Sequence, residues 1–153
     1  MSPATTSDWN LKAEFEAPDR VIITVRDSVI LTCRSGSGLD VTGSLLLKQA
    51  KPDCVLIVTG NTCGIQTTGT LTIAIDHISV SASNGPAMQS GGNVTADNFL
   101  SASLSGAKPL CCDGDINMTA RAVPTASITV HGGICSNGNV VLRADPTICP
   151  ANA

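Results

Sequence analysis

Aromatic side chains are scarce in this chain of 153 residues, which has no tyrosine, two phenylalanines and one tryptophan. Proteins that stack sugar rings or nucleobases need several aromatic faces, so the scarcity argues against both binding modes. Charged residues make up only 14% of the chain, and the net charge of −3 comes without runs of one sign. Nucleic acid is therefore not an expected partner.

Long apolar runs are also missing, because no stretch approaches the roughly 18 residues that a membrane-spanning helix needs. Residues 1–20 lack the charged start and apolar block of a signal peptide, so we expect neither a membrane span nor conventional secretion. The chain is nevertheless 42% hydrophobic, which predicts a packed core rather than disorder. Seven cysteines suggest an oxidising destination, outside a cell or on a particle surface.

A repeat organises most of the sequence. Five glycines recur at spacings of 26, 23, 22 and 24 residues, a period typical of solenoids. Each is preceded at four residues by an apolar side chain and followed by two more, at two and four residues. The glycines are Gly43, Gly69, Gly92, Gly114 and Gly138; the side chains two residues later are Leu45, Leu71, Val94, Ile116 and Val140, and those four residues later are Leu47, Ile73, Ala96, Met118 and Leu142.

A further set of alternating residues begins 14 residues before each of the first four glycines. It predicts inward columns that contain Val29, Val55, Ile78 and Leu100, with a slip of about two residues in the fifth repeat. Three short strands per period predict an all-β fold, a single parallel β-helix of about five coils of 22–26 residues. Parallel crossovers favour a right-handed one. A β-sandwich of short strands is the alternative.

The solenoid is expected to span residues 20–145, between an amino-terminal arm or cap (1–19) and a short tail (146–153). In the arm, Trp9, Leu11 and Phe15 alternate with polar residues, which favours a strand; a capping helix is the alternative. This strand either covers its own first coil or adds to a neighbouring subunit.

Two features of the sequence predict assembly. The first two coils place Ile30, Leu56 and Val58 at outward positions, where an exposed apolar cluster marks an interface. The chain after Ala144 is too short and proline-rich to cover a triangular end, which favours head-to-tail contact. The predicted interface therefore comprises six residues, which are Trp9, Leu11, Phe15, Ile30, Leu56 and Val58.

The cysteines supply the disulfide candidates. Cys111 and Cys135 occupy the same outward column in adjacent coils, about 4.8 Å apart, which is within reach of a disulfide. Cys54 and Cys63 flank one strand, and Cys149 lies in the tail. Because the count is odd, at least one thiol stays free or available to another chain, and Cys54 and Cys149 are the candidates.

Other chemistry has weaker support. A metal site would need His131, Cys135 and the Cys111–Cys112 pair, but no CxxC spacing occurs. Cysteine catalysis would need a partner histidine, and only His77 and His131 exist. No catalytic residue or cofactor is predicted.

The repeat of residues 20–145 resembles, in shape only, two kinds of parallel β-helix. One comprises the pectin-degrading enzymes, whose clustered carboxylates and long loops are not matched here. The other comprises the bactofilins, which are short β-helices that polymerise end to end. The sequence therefore predicts a non-enzymatic subunit that assembles with itself into a filament, spike or shell. A polysaccharide-binding or polysaccharide-cleaving β-helix is the alternative.

Overall fold

The computed structural model describes the backbone of residues 11–17, 20–123 and 125–144, and the side chains of the last two ranges. Within these ranges the chain forms β-strands and turns, and no helix is long and apolar enough to cross a membrane. The strands build three sheets that we name A, B and C. Sheet A contains β1 (Leu11–Ala17), β2 (Arg20–Val25), β5 (Ser44–Gln49), β8 (Leu71–Ala74), β11 (Val94–Phe99), β14 (Ile116–Ala120) and β17 (Val140–Arg143), in that order.

The other two sheets have five strands each, again in the order of the chain. Sheet B contains β3 (Ser28–Thr32), β6 (Val55–Gly60), β9 (His77–Ala82), β12 (Ser101–Ser105) and β15 (Ser127–His131). Sheet C contains β4 (Ser37–Val41), β7 (Cys63–Thr67), β10 (Met88–Ser90), β13 (Leu110–Cys112) and β16 (Ile134–Ser136). The chain visits A, B and C in turn five times, so the predicted β-solenoid of about five coils is confirmed.

Parallel pairing between successive coils stacks the inward side chains into columns. In sheet A, Leu45 pairs with Leu71, Leu71 with Val94, and Val94 with Ile116, as the repeat predicts. These four side chains are at most 1% exposed, and they belong to one continuous apolar core. A single coil cannot bury its own inward face, so the columns explain why the coils are stable only as a stack.

In sheet B the predicted columns are partly wrong. Val29 pairs with Leu56, not with Val55, so Leu56 and Val58 point into the core and Val55 and Ile57 face outward. The error is one residue, and a slip of one residue moves every side chain of a strand to the opposite face.

In the fourth coil the predicted column is displaced by two residues, because Ile78 pairs with Ala102 instead of Leu100. A displacement of two residues changes the partners but keeps the face. Ala102 and Leu104 are accordingly buried, as the alternation predicts.

The repeat glycines mainly allow close approach between coils. Only Gly43 among the five has a positive φ, of 104°. A Cβ built on Gly114 would lie 2.0 Å from Asn93 Oδ1, and one on Gly138 would lie 2.1 Å from Asp115 Oδ1. Glycine is therefore required at these corners because a side chain from the coil before occupies the space.

The side chains of Ser44, Asn93 and Asp115 each accept a hydrogen bond from the backbone of the next coil, and we call this series the polar ladder. The sequence analysis did not predict it. The N–H of Asp115 donates to Asn93 Oδ1 (2.8 Å), and the N–H of Asn139 donates to Asp115 Oδ1 (2.8 Å). Earlier in the chain, the N–H of Thr70 donates to Ser44 Oγ (3.1 Å). The sequence signal is the short polar residue after every repeat glycine, which satisfies a backbone donor where the sheet turns.

Replacing Asn93 with Ala is expected to lower the free energy of unfolding by about 0.5–1.5 kcal/mol, the usual contribution of one such hydrogen bond. Denaturant titration followed by circular dichroism measures the loss. Asn137→Ala is the matched control, because Asn137 is an exposed asparagine near the same corner of a later coil. Equal stability of both variants would show that the ladder contributes nothing.

Candidate functional site: the terminal coil and the cysteine face

The carboxyl-terminal end of the solenoid leaves inward positions accessible. Val140 and Leu142 in β17 continue the columns of Ile116 and Met118. Val140 is 45% exposed and Leu142 is 37% exposed, whereas Ile116 and Met118 are at most 1% exposed. Ile128, Val130 and Ile134 of the same end are only partly buried. The last described coil therefore presents apolar core positions to solvent.

The strands that border this end are edge strands of their sheets. Sheets A, B and C finish in β17, β15 and β16, respectively. An edge strand carries backbone donors and acceptors that another strand can pair with. Within the described ranges, this end thus combines unpaired strand edges with exposed apolar side chains.

The opposite end is partly covered. The predicted amino-terminal strand is present as β1, which pairs antiparallel with β2 and so adds one strand to sheet A. Its backbone register places Leu11 opposite Val25 and Phe15 opposite Val21. Sheets B and C have no such addition in the described residues and end in β3 and β4. Trp9 lies outside the described residues, and the role of residues 1–19 as cap or arm stays a prediction.

The predicted outward apolar cluster needs correction. Ile30 is 69% exposed, as expected for an outward residue of the first coil. Leu56 and Val58 are fully buried and take no part in an outer surface. Ile57 is the register partner of Ile30 and is half-buried, as is Val55 on the same face. On sheet B, the apolar outer face of the first two coils therefore consists of Ile30, Val55 and Ile57.

Cys111 and Cys135 lie where the sequence predicts. They are direct register partners in β13 and β16, and both face outward on sheet C. Cys135 is exposed and Cys111 is half-buried, and both are free thiols in this structure. Burial, followed by the neighbouring Cys135, raises the pKa of the Cys111 thiol. The adjacent Cys112 points inward and is buried.

Cys54 and Cys63 do not belong to an outer thiol face. Cys54 directly precedes β6 and Cys63 begins β7. The whole of β6, which spans about 17 Å, lies between them, so they cannot bond to each other. Both are buried, so the prediction that Cys54 is available to another chain is wrong. Burial, and next the charge of Asp40, raise the pKa of Cys63 to about 11. Cys149 lies outside the described residues.

Sheet C carries an open groove of about 470 Å³ beside the two outward thiols. Its walls include the amides of Gln66, Gln89 and Asn137 and the carboxylate of Asp113. Cys111 and Cys135 also line it. The groove therefore gives a small molecule access to both thiols from solvent.

A second polar cluster occupies the corner between sheets A and B. Arg121 Nη2 donates to Asp76 Oδ1 (2.6 Å) and to the carbonyl of Asn98 (3.0 Å). The N–H of Asp53 donates to Asp76 Oδ2 (2.8 Å), and the N–H of Asp76 donates to Gln49 Oε1 (2.9 Å). One buried carboxylate thus connects segments from the second coil to the fifth.

The charge of Asp76 is stabilised despite its burial. Burial by itself raises the pKa of a carboxyl group, but the hydrogen bond from the N–H of Asp53, the neighbouring Gln49 side chain and the charge of Arg121 together outweigh it. The pKa of Asp76 is therefore below its ordinary value of 3.8. Sequence reasoning missed this pair, because 45 residues separate Asp76 from Arg121.

The corner also contains a serine, a histidine and an aspartate in contact. His77 Nδ1 lies 2.9 Å from Ser101 Oγ, and His77 Nε2 lies 3.5 Å from Asp53 Oδ1. The three residues belong to successive coils, and the Asp53 side chain is 73% exposed. Catalytic triads instead keep the aspartate buried against the histidine and have an oxyanion hole beside the serine. We therefore assign these contacts to the polar packing between neighbouring coils.

The described residues show no group of three or more His, Cys, Asp or Glu side chains arranged to hold a metal ion. His131 ends β15 in sheet B, whereas Cys111 and Cys135 lie on sheet C, so the ligand set considered from the sequence is not brought together. No protein-family model matches the chain, and neither a curated protein nor a solved structure matches it.

Proposed function

We propose that this chain is a non-enzymatic structural subunit that assembles with itself into a filament, spike or shell. Assembly would use the solenoid ends and the outer face formed by Ile30, Val55 and Ile57. The observation that carries the proposal is the exposure of Val140 and Leu142, which occupy core positions of the repeat. Exposed apolar surface next to unpaired strand edges favours association.

The chemistry of the two ends supports contact between copies. Each end of the described solenoid presents one edge strand of every sheet. These strands are β17, β15 and β16 at one end and β1, β3 and β4 at the other, and the strand edges of one copy can pair with those of another. Contact between the two different ends of successive copies is heterologous, and it gives open polymers when the rotation does not close. We further propose that a Cys111–Cys135 disulfide reinforces the last two coils.

Charge at the exposed core positions should block this contact. A Val140→Glu, Leu142→Glu double variant is expected to stay folded, because both side chains are already partly in water. It should form small species under conditions in which the unaltered chain forms large ones, because association would bury two charges. Sedimentation velocity and negative-stain microscopy measure the difference.

Asn117→Glu is the matched control, because Asn117 is an exposed outward residue of β14 and pairs with Val141 of β17. The control variant should assemble as the unaltered chain does. If the double variant assembles equally well, contact through the terminal coil is wrong. If the unaltered chain stays monomeric and binds a polysaccharide, the alternative function is the better one.

A further inference from the structure

The geometry of Cys111 and Cys135 bears on how durable a bond between them would be. Neighbouring strands lie about 4.8 Å apart, which is within the range of Cα separations in disulfides. Directly paired residues of parallel strands also keep their Cβ atoms about as far apart as their Cα atoms. Disulfides prefer Cβ separations of about 3.5–4.5 Å. Closing this bond therefore requires β13 and β16 to approach locally.

Only one of these two strands is held by a neighbouring strand on both sides. β13 is held between β10 and β16, whereas β16 is the edge strand of sheet C. The strain of the bond therefore falls on the last coil. Strained and accessible disulfides are reduced more readily than relaxed, buried ones.

The two thiols also differ in access. Cys135 is exposed and Cys111 is half-buried, and both line the groove of about 470 Å³ on sheet C. The raised pKa of Cys111 reduces its thiolate fraction, which is the reactive form. Access therefore favours Cys135 as the first thiol to react.

We propose that Cys135 and Cys111 form a reversible exchange site for low-molecular-weight disulfides, with Cys135 as the attacking thiol and Cys111 as the resolving thiol. The Cys135 thiolate attacks a disulfide RSSR, which forms Cys135–S–SR and releases RS⁻, which takes up a proton. The Cys111 thiolate then attacks Cys135 Sγ and expels the second RS⁻. Two protein thiols are oxidised, and one RSSR is reduced to two RSH.

This inference rests on the disulfide included in the proposed function, but it does not depend on assembly. It predicts that this disulfide is not a permanent cross-link but forms and opens with the redox state of the surroundings. Because the bond joins the last two coils, its state would control how firmly the terminal coil is held.

The test uses the full-length reduced chain and oxidised glutathione. In Cys111→Ser, Cys135 should accumulate as a mixed disulfide with one glutathione, since the resolving thiol is gone. In Cys135→Ser, Cys111 should react much more slowly. Alkylation and peptide mapping locate each modified thiol. Cys112→Ser is the control, because Cys112 is buried at a position that Ser90 and Ser136 fill in neighbouring coils, and it should behave as the unaltered chain.

The unaltered chain provides a second measurement that needs no variant. In buffers of reduced and oxidised glutathione, the Cys111–Cys135 bond should form and open as the ratio changes. If the bond forms but reduced glutathione does not open it, the disulfide is a permanent cross-link and the proposal of an exchange site is wrong. Absence of the bond at excess oxidised glutathione would overturn both. Faster glutathione capture by Cys111 in Cys135→Ser than by Cys135 in Cys111→Ser would overturn the assigned roles.

Discussion

An Ile73→Asp chain is expected not to fold. Ile73 lies in the middle of the solenoid, is 1% exposed, and is paired with Leu47 on one side and Ala96 on the other. A carboxylate there would have no partner in an apolar column, and burying it costs several kcal/mol. Domains of this size are stable by about 5–15 kcal/mol, so one such change removes most or all of the stability.

Ala74→Asp is the matched control on the same strand. Ala74 is exposed, faces outward and pairs with Lys48, so an added carboxylate meets water and a positive charge. Circular dichroism with thermal and urea unfolding should show a cooperative transition for the control and none for Ile73→Asp. A cooperative transition close to that of the unaltered chain in Ile73→Asp would contradict the register of sheet A.

The second large effect is expected from Asp76→Asn. The change removes a buried charge that Arg121 and the N–H of Asp53 both contact, while it keeps the shape of the side chain. The expected loss at neutral pH is about 2–4 kcal/mol, because Arg121 is left without its acidic partner in a partly buried site. The neighbouring coils at this corner should then open more easily than the rest of the solenoid.

The pH dependence of that loss follows from the lowered pKa of Asp76. A carboxyl group whose folded pKa is below its unfolded value stabilises the fold above the unfolded value, here 3.8, and loses that contribution as the pH falls further. The difference between the unaltered chain and Asp76→Asn should therefore be constant near neutral pH and shrink in acid. Urea titrations at several pH values measure it.

Asp97→Asn is the control variant: Asp97 lies at an exposed position of β11, and the change should alter stability by less than about 0.5 kcal/mol. A difference independent of pH down to strong acid would contradict this account of Asp76.

The sheet A columns could be predicted because alternation there is clear. In the middle coils a polar residue separates the two inward side chains, as Thr72 separates Leu71 and Ile73, so the period of two defines the buried face. Because these positions keep a fixed distance from the repeat glycine, the same face could be assigned to Leu45 and Leu47, where the residue between them is also apolar. The prediction for sheet B failed in the second coil because residues 54–58 read Cys-Val-Leu-Ile-Val, a continuous apolar run. Such a run does not indicate which face is buried, and the actual register places Leu56 and Val58 inside.

The polar contacts between coils were harder to predict. Asp76 in the third coil and Arg121 in the fifth meet because the intervening fourth coil stacks with particular turn lengths, which no local pattern encodes. A bulge at Asn98, where φ is 60°, also helps by turning its carbonyl toward Arg121 and Phe99 into the core. The position of Cys111 and Cys135 as register partners on adjacent strands was predictable because both residues keep the same distance from their repeat glycines. Their unequal exposure was not, because it depends on β16 being an edge strand.

Sedimentation velocity of the unaltered full-length chain over a range of concentrations tests the central claim, self-assembly, most directly. At about 10 μM, contacts with a Kd near 1 μM would leave most chains associated. The account predicts species far larger than one 15.5 kDa chain, with a distribution that grows with concentration. A single 15.5 kDa species at every concentration, in both oxidising and reducing buffer, would contradict it.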